Sequence, residues 1–97
     1  MKILETEQFK QQRDFSVRYI ANNKKSAALK FAKELKKSVN NLSSFPYKYR
    51  KSYYYKDESI RDMTFKGYTI IYRIDETKEL IEILEIFHKN LLTKEEN

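Results

Sequence analysis

The chain has 97 residues, with one Gly, one Pro, one His, no Cys and no Trp, and its 20 Lys and Arg against 14 Asp and Glu leave a net charge of +6. Without cysteine there is no disulfide scaffold, thiol nucleophile or Cys-bound zinc; one His cannot make a histidine cluster, and one Gly cannot make a phosphate-cradling loop or a dinucleotide fingerprint. With 40% hydrophobic and 35% charged residues and no apolar run near the roughly 18 that span a membrane, this composition predicts one globular domain over residues 1–97, with no cofactor, metal or membrane partner. The start turns polar after Ile3 and Leu4 and has no signal-peptide core, which places the chain in the cytoplasm.

Ile3 and Leu4 read as a short strand before a helical pattern begins. Thr6 is placed to cap that helix, whose inner face carries Phe9, Ser16 or Val17, and Ile20; Asn22 and Asn23 end it. The second helix is the clearest element. Ala28, Phe31, Ala32, Leu35, Val39 and Leu42 recur at intervals of three and four and share one face, with Lys30, Lys33 and Lys37 opposite. Asn40 to Ser44 dissolve it and Pro46 stops it, since proline has no amide to donate and holds Phe45 extended. The short polar joint predicts an antiparallel helical hairpin.

After Pro46 the period is close to two. Ser52 to Lys56, Ile60 to Phe65 and Tyr68 to Ile74 carry the Tyr, Ile, Thr and Phe favoured in strands. Lys66-Gly67, holding the single glycine, fits a two-residue hairpin loop that needs positive φ. That loop sets Phe65 opposite Tyr68, Met63 opposite Ile70 and Arg61 opposite Tyr72 on an apolar face ending in an arginine. Asp62, Thr64, Thr69, Ile71 and Arg73 form a mostly polar reverse face, on which Arg73 and Asp62 make an ion pair. Glu79 to His88 aligns both as a strand and as a helix, and its three isoleucines favour a central strand. In it Leu80, Leu84 and Ile86 take one face and Ile81, Ile83 and Phe87 the other. The charged tail from Thr93 is expected to be loose. The fold class is α+β: an N-terminal strand, a helical hairpin, then a three- to four-stranded antiparallel sheet.

The charge is concentrated. Between Asn23 and Lys56 ten basic residues meet one acid, Glu34, a balance of +9, while residues 51–97 sum to −2. Such a block attracts an anionic partner, though a lysine-rich helix face is also a common solubilising device. Residues 47–56 hold five tyrosines, four cations and no acid. Interleaved rings and cations suit a single-stranded nucleic-acid-binding module; equally, they suit an edge strand whose tyrosines pack on the helices while its cations block aggregation. His88 alone has an ordinary pKa near neutrality, so it is the one candidate for proton transfer there. Arg61, on the apolar face, needs a carbonyl or carboxylate partner and reads equally as an internal brace.

The succession Asn41-Leu42, Phe45-Pro46, Arg50-Lys51-Ser52, then Ile60-Arg61-Asp62, then Gly67-Tyr68-Thr69-Ile70-Ile71-Tyr72-Arg73, then Ile83-Leu84 and His88, resembles the RelE/ParE family of bacterial toxins. Order, spacing and length agree over nearly the whole chain. The resemblance implies a RelE/ParE-like fold and a toxin held inactive by a cognate antitoxin in a hetero-oligomer. RelE-like members cut mRNA on the ribosome. Under that alternative Arg61 or Arg73 would stabilise the transition state and His88 would act as general acid or base. ParE-like members instead poison DNA gyrase and are not enzymes. His88, followed by Lys89, matches the nuclease pattern, but Thr69 stands where several nuclease members have an arginine, and threonine cannot neutralise a phosphorane. The Phe-Pro-x-x-x-Arg-Lys-Ser stretch looks like the ParE side, so the resemblance implies a ParE-like toxin. Its target- or antitoxin-binding residues are expected to be Lys30, Lys33, Lys37, Lys48, Arg50, Lys51 and Lys89.

Overall fold

The structure, a computed structural model, describes residues 1–88, so Lys89 and the charged tail lie outside the described residues. The elements are β1 (Lys2–Glu5), α1 (Glu7–Asn23), α2 (Lys25–Asn41), β2 (Arg50–Lys51), β3 (Ile60–Phe65), β4 (Tyr68–Asp75) and β5 (Leu80–His88). All five strands form one sheet in the order β1-β5-β4-β3-β2. The α+β order expected from the sequence is the one observed. The N-terminal strand joins the sheet as an edge strand parallel to β5, while β2 to β5 pair antiparallel.

Thr6 joins β1 to α1. Its amide and hydroxyl both donate to the Ile83 carbonyl of β5, at 3.1 and 2.8 Å, and its hydroxyl oxygen accepts from the Phe9 amide at 3.2 Å. One side chain thus closes the parallel ladder and caps the helix. Both helices lie on one face of the sheet. Phe9 of α1, with Phe31, Leu35 and Val39 of α2 and Leu42 just beyond it, meets Met63, Tyr68, Ile70, Tyr72 and Ile74 in the main core. The heptad-like spacing of the second helix therefore marks its buried stripe, and Lys30, Lys33 and Lys37 are exposed, as expected. Where β1 stops, the Ile86 amide on that edge of β5 donates to Gln12 Oε1 at 2.9 Å, so α1 covers a group the strand leaves unpaired.

The hairpin register follows the reading from the turn: Phe65 faces Tyr68, Met63 faces Ile70 and Arg61 faces Tyr72. Lys66 and Gly67 take φ of 48° and 84°, both positive, as a turn matching the twist of its strands requires.

Three expectations are corrected. Ser52 to Lys56 is not a strand; β2 is only Arg50–Lys51 and the chain then turns off the sheet edge. The buried Asp62 carboxylate accepts the Tyr53 amide at 2.8 Å, and that side-chain bond replaces the ladder a longer strand would have continued. Of the tyrosines expected to pack inward, Tyr49 does lie against the core, but Tyr53, Tyr54 and Tyr55 are all exposed, and Tyr54 stacks edge-on against Phe87, which belongs to the face away from the helices. Secondly, the reverse face is mostly polar in composition, as expected, but Asp62, Thr69 and Ile71 are buried there. Its ion pairs also differ: Asp62 binds Arg50 at 3.2 Å and Arg73 binds its cross-strand neighbour Glu82 at 3.8 Å. Thirdly, Leu84 is the extra residue of a β-bulge, since Ile71 pairs with Glu85 and Tyr72 with Ile83. The bulge shifts the alternation by one, so Ile81, Ile83 and Ile86 all enter the core.

Candidate functional site

The chain between α2 and β3 wraps the far edge of the sheet. On the helix side, the Tyr72 hydroxyl donates to the Pro46 carbonyl at 2.7 Å, and Tyr47 donates to Glu76. Arg61 donates to the Tyr49 carbonyl at 3.0 Å and lies 5.1 Å from the Tyr47 ring centroid. The arginine at the end of the apolar face is thus a brace for this loop, with a carbonyl partner. β2 then pairs Arg50 with Asp62 and Lys51 with Arg61, and residues 52–57 pass to the reverse face as a strap.

The strap makes a tyrosine-rich surface. Tyr53 is 79% exposed and stands edge-on to Tyr54, which in turn meets Phe87. The Tyr55 hydroxyl donates to Glu85, a bond that raises its pKa from the ordinary phenol value, with burial adding to it. Tyr54, Tyr55, Ile71, Glu85, Phe87 and Gln12 line an open groove there. Three cations beside it are paired, Arg50 with Asp62, Lys51 with Glu58 and Arg73 with Glu82, while Lys56 of the strap is in no ion pair among the described residues. Aromatic area is on offer here, but little net positive charge.

The residues named for an RNA-cutting site are not brought together. Arg61 points to the helix side at one end of β3, whereas Arg73 points to the reverse face. His88 sits at the other end, opposite Tyr68, four residues along the hairpin from the Arg61–Tyr72 pair, a separation of about 13 Å. Its ring stands edge-on to Tyr68 with centroids 4.8 Å apart, and its Nε2 closely approaches Gly67. Thr69 is buried on the reverse face. Of the residues expected to bind a partner, Lys48, Arg50 and Lys51 lie on the wrapping loop and β2, and Lys30, Lys33 and Lys37 lie on α2, whose end at Ser38 and Asn41 shares a pocket with Lys48. The sequence reading missed Asp62 as the latch of the strap. Its only signal was an acid amid apolar strand residues, which gives no hint of which face is covered.

Residues 3–90 match the family profile described as the ParE toxin of the type II toxin–antitoxin system, parDE. The chain belongs to the ParE toxin family. Membership in this toxin–antitoxin family implies an antitoxin partner, and the ParE side of the RelE/ParE resemblance is the one matched. Among solved structures, a chain of the chromosomal ParDE toxin–antitoxin system from P. aeruginosa shares the fold, with a TM-score of 0.73 over 91% of this chain and 95% of that one, at 19% identity. No individually curated protein matches the sequence. Among the described residues of this ParE family member, no helix is long and apolar enough to cross a membrane.

Proposed function

We propose that this ParE-family toxin, acting as one domain over residues 1–97, arrests growth in the cytoplasm by binding DNA gyrase, and that a cognate antitoxin neutralises it in a hetero-oligomer. The observation carrying this reading is the dispersal of the nuclease candidates beside an assembled aromatic surface. Cleaving a phosphodiester needs a cation and a proton-transfer group within hydrogen-bond reach of one phosphate. Arg61, Arg73 and His88 are divided between two faces and two ends of the sheet. Tyr53, Tyr54 and Tyr55, by contrast, are large, amphipathic and held by a latched strap, which suits a protein partner. Arg50, which lies against the Tyr53 ring, and its neighbour Lys51 border that surface and would set its orientation on the target, with Lys48 a further contact from the wrapping loop. The antitoxin has separate apolar anchors in Phe15 and Tyr19, exposed one turn apart on α1.

The test is induction in cells with parallel measurement of plasmid supercoiling, pulse-labelled DNA synthesis and protein synthesis. Loss of supercoiling and of DNA synthesis before translation declines is the expected order. Rapid loss of translation with unchanged supercoiling would defeat the gyrase reading and favour mRNA cleavage on the ribosome.

A further inference from the structure

We propose that the exposed stripe Ser26, Lys30, Lys33, Lys37 and Asn40 of α2 docks on the phosphate backbone of duplex DNA. These five residues recur at intervals of four and three, so they form one line along the helix, about 21 Å long, with the three lysines inside roughly 60° of arc. All five are exposed or at the solvent face, and the stripe contains no acid and no aromatic ring.

The charge arrangement sets the stripe apart from a solubilising helix face. Lys30–Lys33 and Lys33–Lys37 are like-charge neighbours at three and four residues, which weaken a helix rather than support it. Among the described residues no carboxylate comes within ion-pair distance of any of the three. Glu34, the single acid of this helix, is bound by Lys66 of the hairpin turn at 2.9 Å, and that bond first, with weaker attraction from Lys30 and Lys37, holds its pKa below the usual carboxylate value. Lys36, off the stripe, faces Glu5 at 3.8 Å. Lys36 and Lys66 beside the stripe are therefore ion-paired, whereas the three lysines on it are not. Arg50 and Lys51, which lead into the tyrosine strap, are by contrast matched by Asp62 and Glu58.

Duplex rather than single-stranded nucleic acid fits because the stripe has charge without a stacking ring, and unpaired bases are held by stacking. Ser26 and Asn40 at its ends supply neutral donors of the kind that contact phosphates. B-form DNA presents evenly spaced phosphates beside a groove wide enough for the exposed half of a helix, whereas the major groove of A-form RNA is too narrow. This inference does not depend on which enzyme the toxin inhibits.

The test is fluorescence anisotropy of the purified full-length chain with a labelled mixed-sequence DNA duplex across a salt series. Three lysine–phosphate contacts predict a slope of about −2.7 in log K against log salt. Lys30→Gln, Lys33→Gln and Lys37→Gln should each reduce that slope by roughly 0.9, the triple variant should lose binding, and Lys78→Gln, on the β4–β5 turn, should change nothing. The substituted side chains are exposed, so circular dichroism and the urea midpoint should stay at wild-type values; the single variants decide the matter should the triple one fold poorly. Absence of duplex binding at low salt, or wild-type binding by the triple variant, would overturn the proposal. So would tighter binding of polyglutamate at equal charge, which marks an acidic-peptide site, or of an RNA duplex. Preference for a single strand that is lost in Tyr53→Ala would move the interaction to the strap and overturn it equally.

Discussion

The backbone amide of Tyr53 donates to the buried carboxylate of Asp62 at 2.8 Å, and this bond holds the tyrosine strap on the face of the sheet opposite the helices. Arg50 shares the same oxygen at 3.2 Å but is 60% exposed, so the amide is the better-shielded partner. Hydrogen bonds to a charged group contribute about 1.5–3 kcal/mol, and removing the carboxylate also strips the amide of its acceptor. Asp62→Ala should therefore cost about 2–3 kcal/mol in urea unfolding. Amide exchange should accelerate across residues 52–57 more than in α2; uniform protection there would refute the latch.

Tyr72 links the core to the wrapping loop. Burial pushes its pKa up from 10 to about 12, and its hydroxyl donates to the Pro46 carbonyl. The unfolded phenol ionises first, so this contribution to stability is full below pH 10 and is withdrawn as the pH rises toward 12. Two units correspond to about 2–3 kcal/mol. Burial likewise raises Tyr68, and carboxylate acceptors raise Tyr47 and Tyr55, so the decline has the same sign at every one. Tyr72→Phe should lose about 1 kcal/mol at neutral pH and show a shallower decline above pH 10. Chemical unfolding across that range, with absorbance titration of the phenolates, measures both.

Gly67 combines two constraints. Its φ of +84° disfavours any side chain, and an added Cβ would lie 3.3 Å from His88 Nε2. Gly67→Ala should destabilise by about 1 kcal/mol or more. His88→Ala should relieve only the contact, so a double-mutant cycle should show a coupling of about 0.5 kcal/mol, with the backbone share remaining. Complete rescue would mean the turn tolerates alanine and the contact alone matters.

His88 also separates the functional readings. With neither Arg61 nor Arg73 gathered beside it, His88→Gln should leave growth inhibition intact. Tyr53→Ala, whose ring is 79% exposed, should change stability by less than about 0.5 kcal/mol yet weaken inhibition of supercoiling about tenfold. Loss of toxicity in His88→Gln with normal folding would point to proton transfer instead.

Much of this fold is legible in the chain because it is decided by near neighbours. The apolar stripe Ala28–Phe31–Leu35–Val39 specifies α2 and its buried side through helical geometry alone, and Thr6 marks a helix start by its own hydroxyl. Lys66-Gly67 sets the hairpin register because only a turn of positive φ matches the strand twist, which places Arg61 opposite Tyr72 without any distant contact. The single glycine and the basic block of the second helix are likewise properties of the sequence itself.

What only the tertiary structure decided depends on which distant surfaces meet. Tyr53, Tyr54 and Tyr55 read as a strand by their intrinsic preference, yet Asp62, nine residues from Tyr53 in sequence, captures the backbone and turns it off the sheet. The period-two pattern of β5 looked continuous until pairing with β4 left Leu84 over, and that one residue moved Ile86 onto the core face with Ile81 and Ile83. The net charge of +6 followed from counting, but which cations find acids did not: Arg50 meets Asp62 and Lys51 meets Glu58, while Lys30, Lys33 and Lys37 meet none among the described residues. Local propensity and periodicity act over a few residues, whereas coverage of a face, bulge position and ion pairing are settled by contacts between elements far apart in the chain.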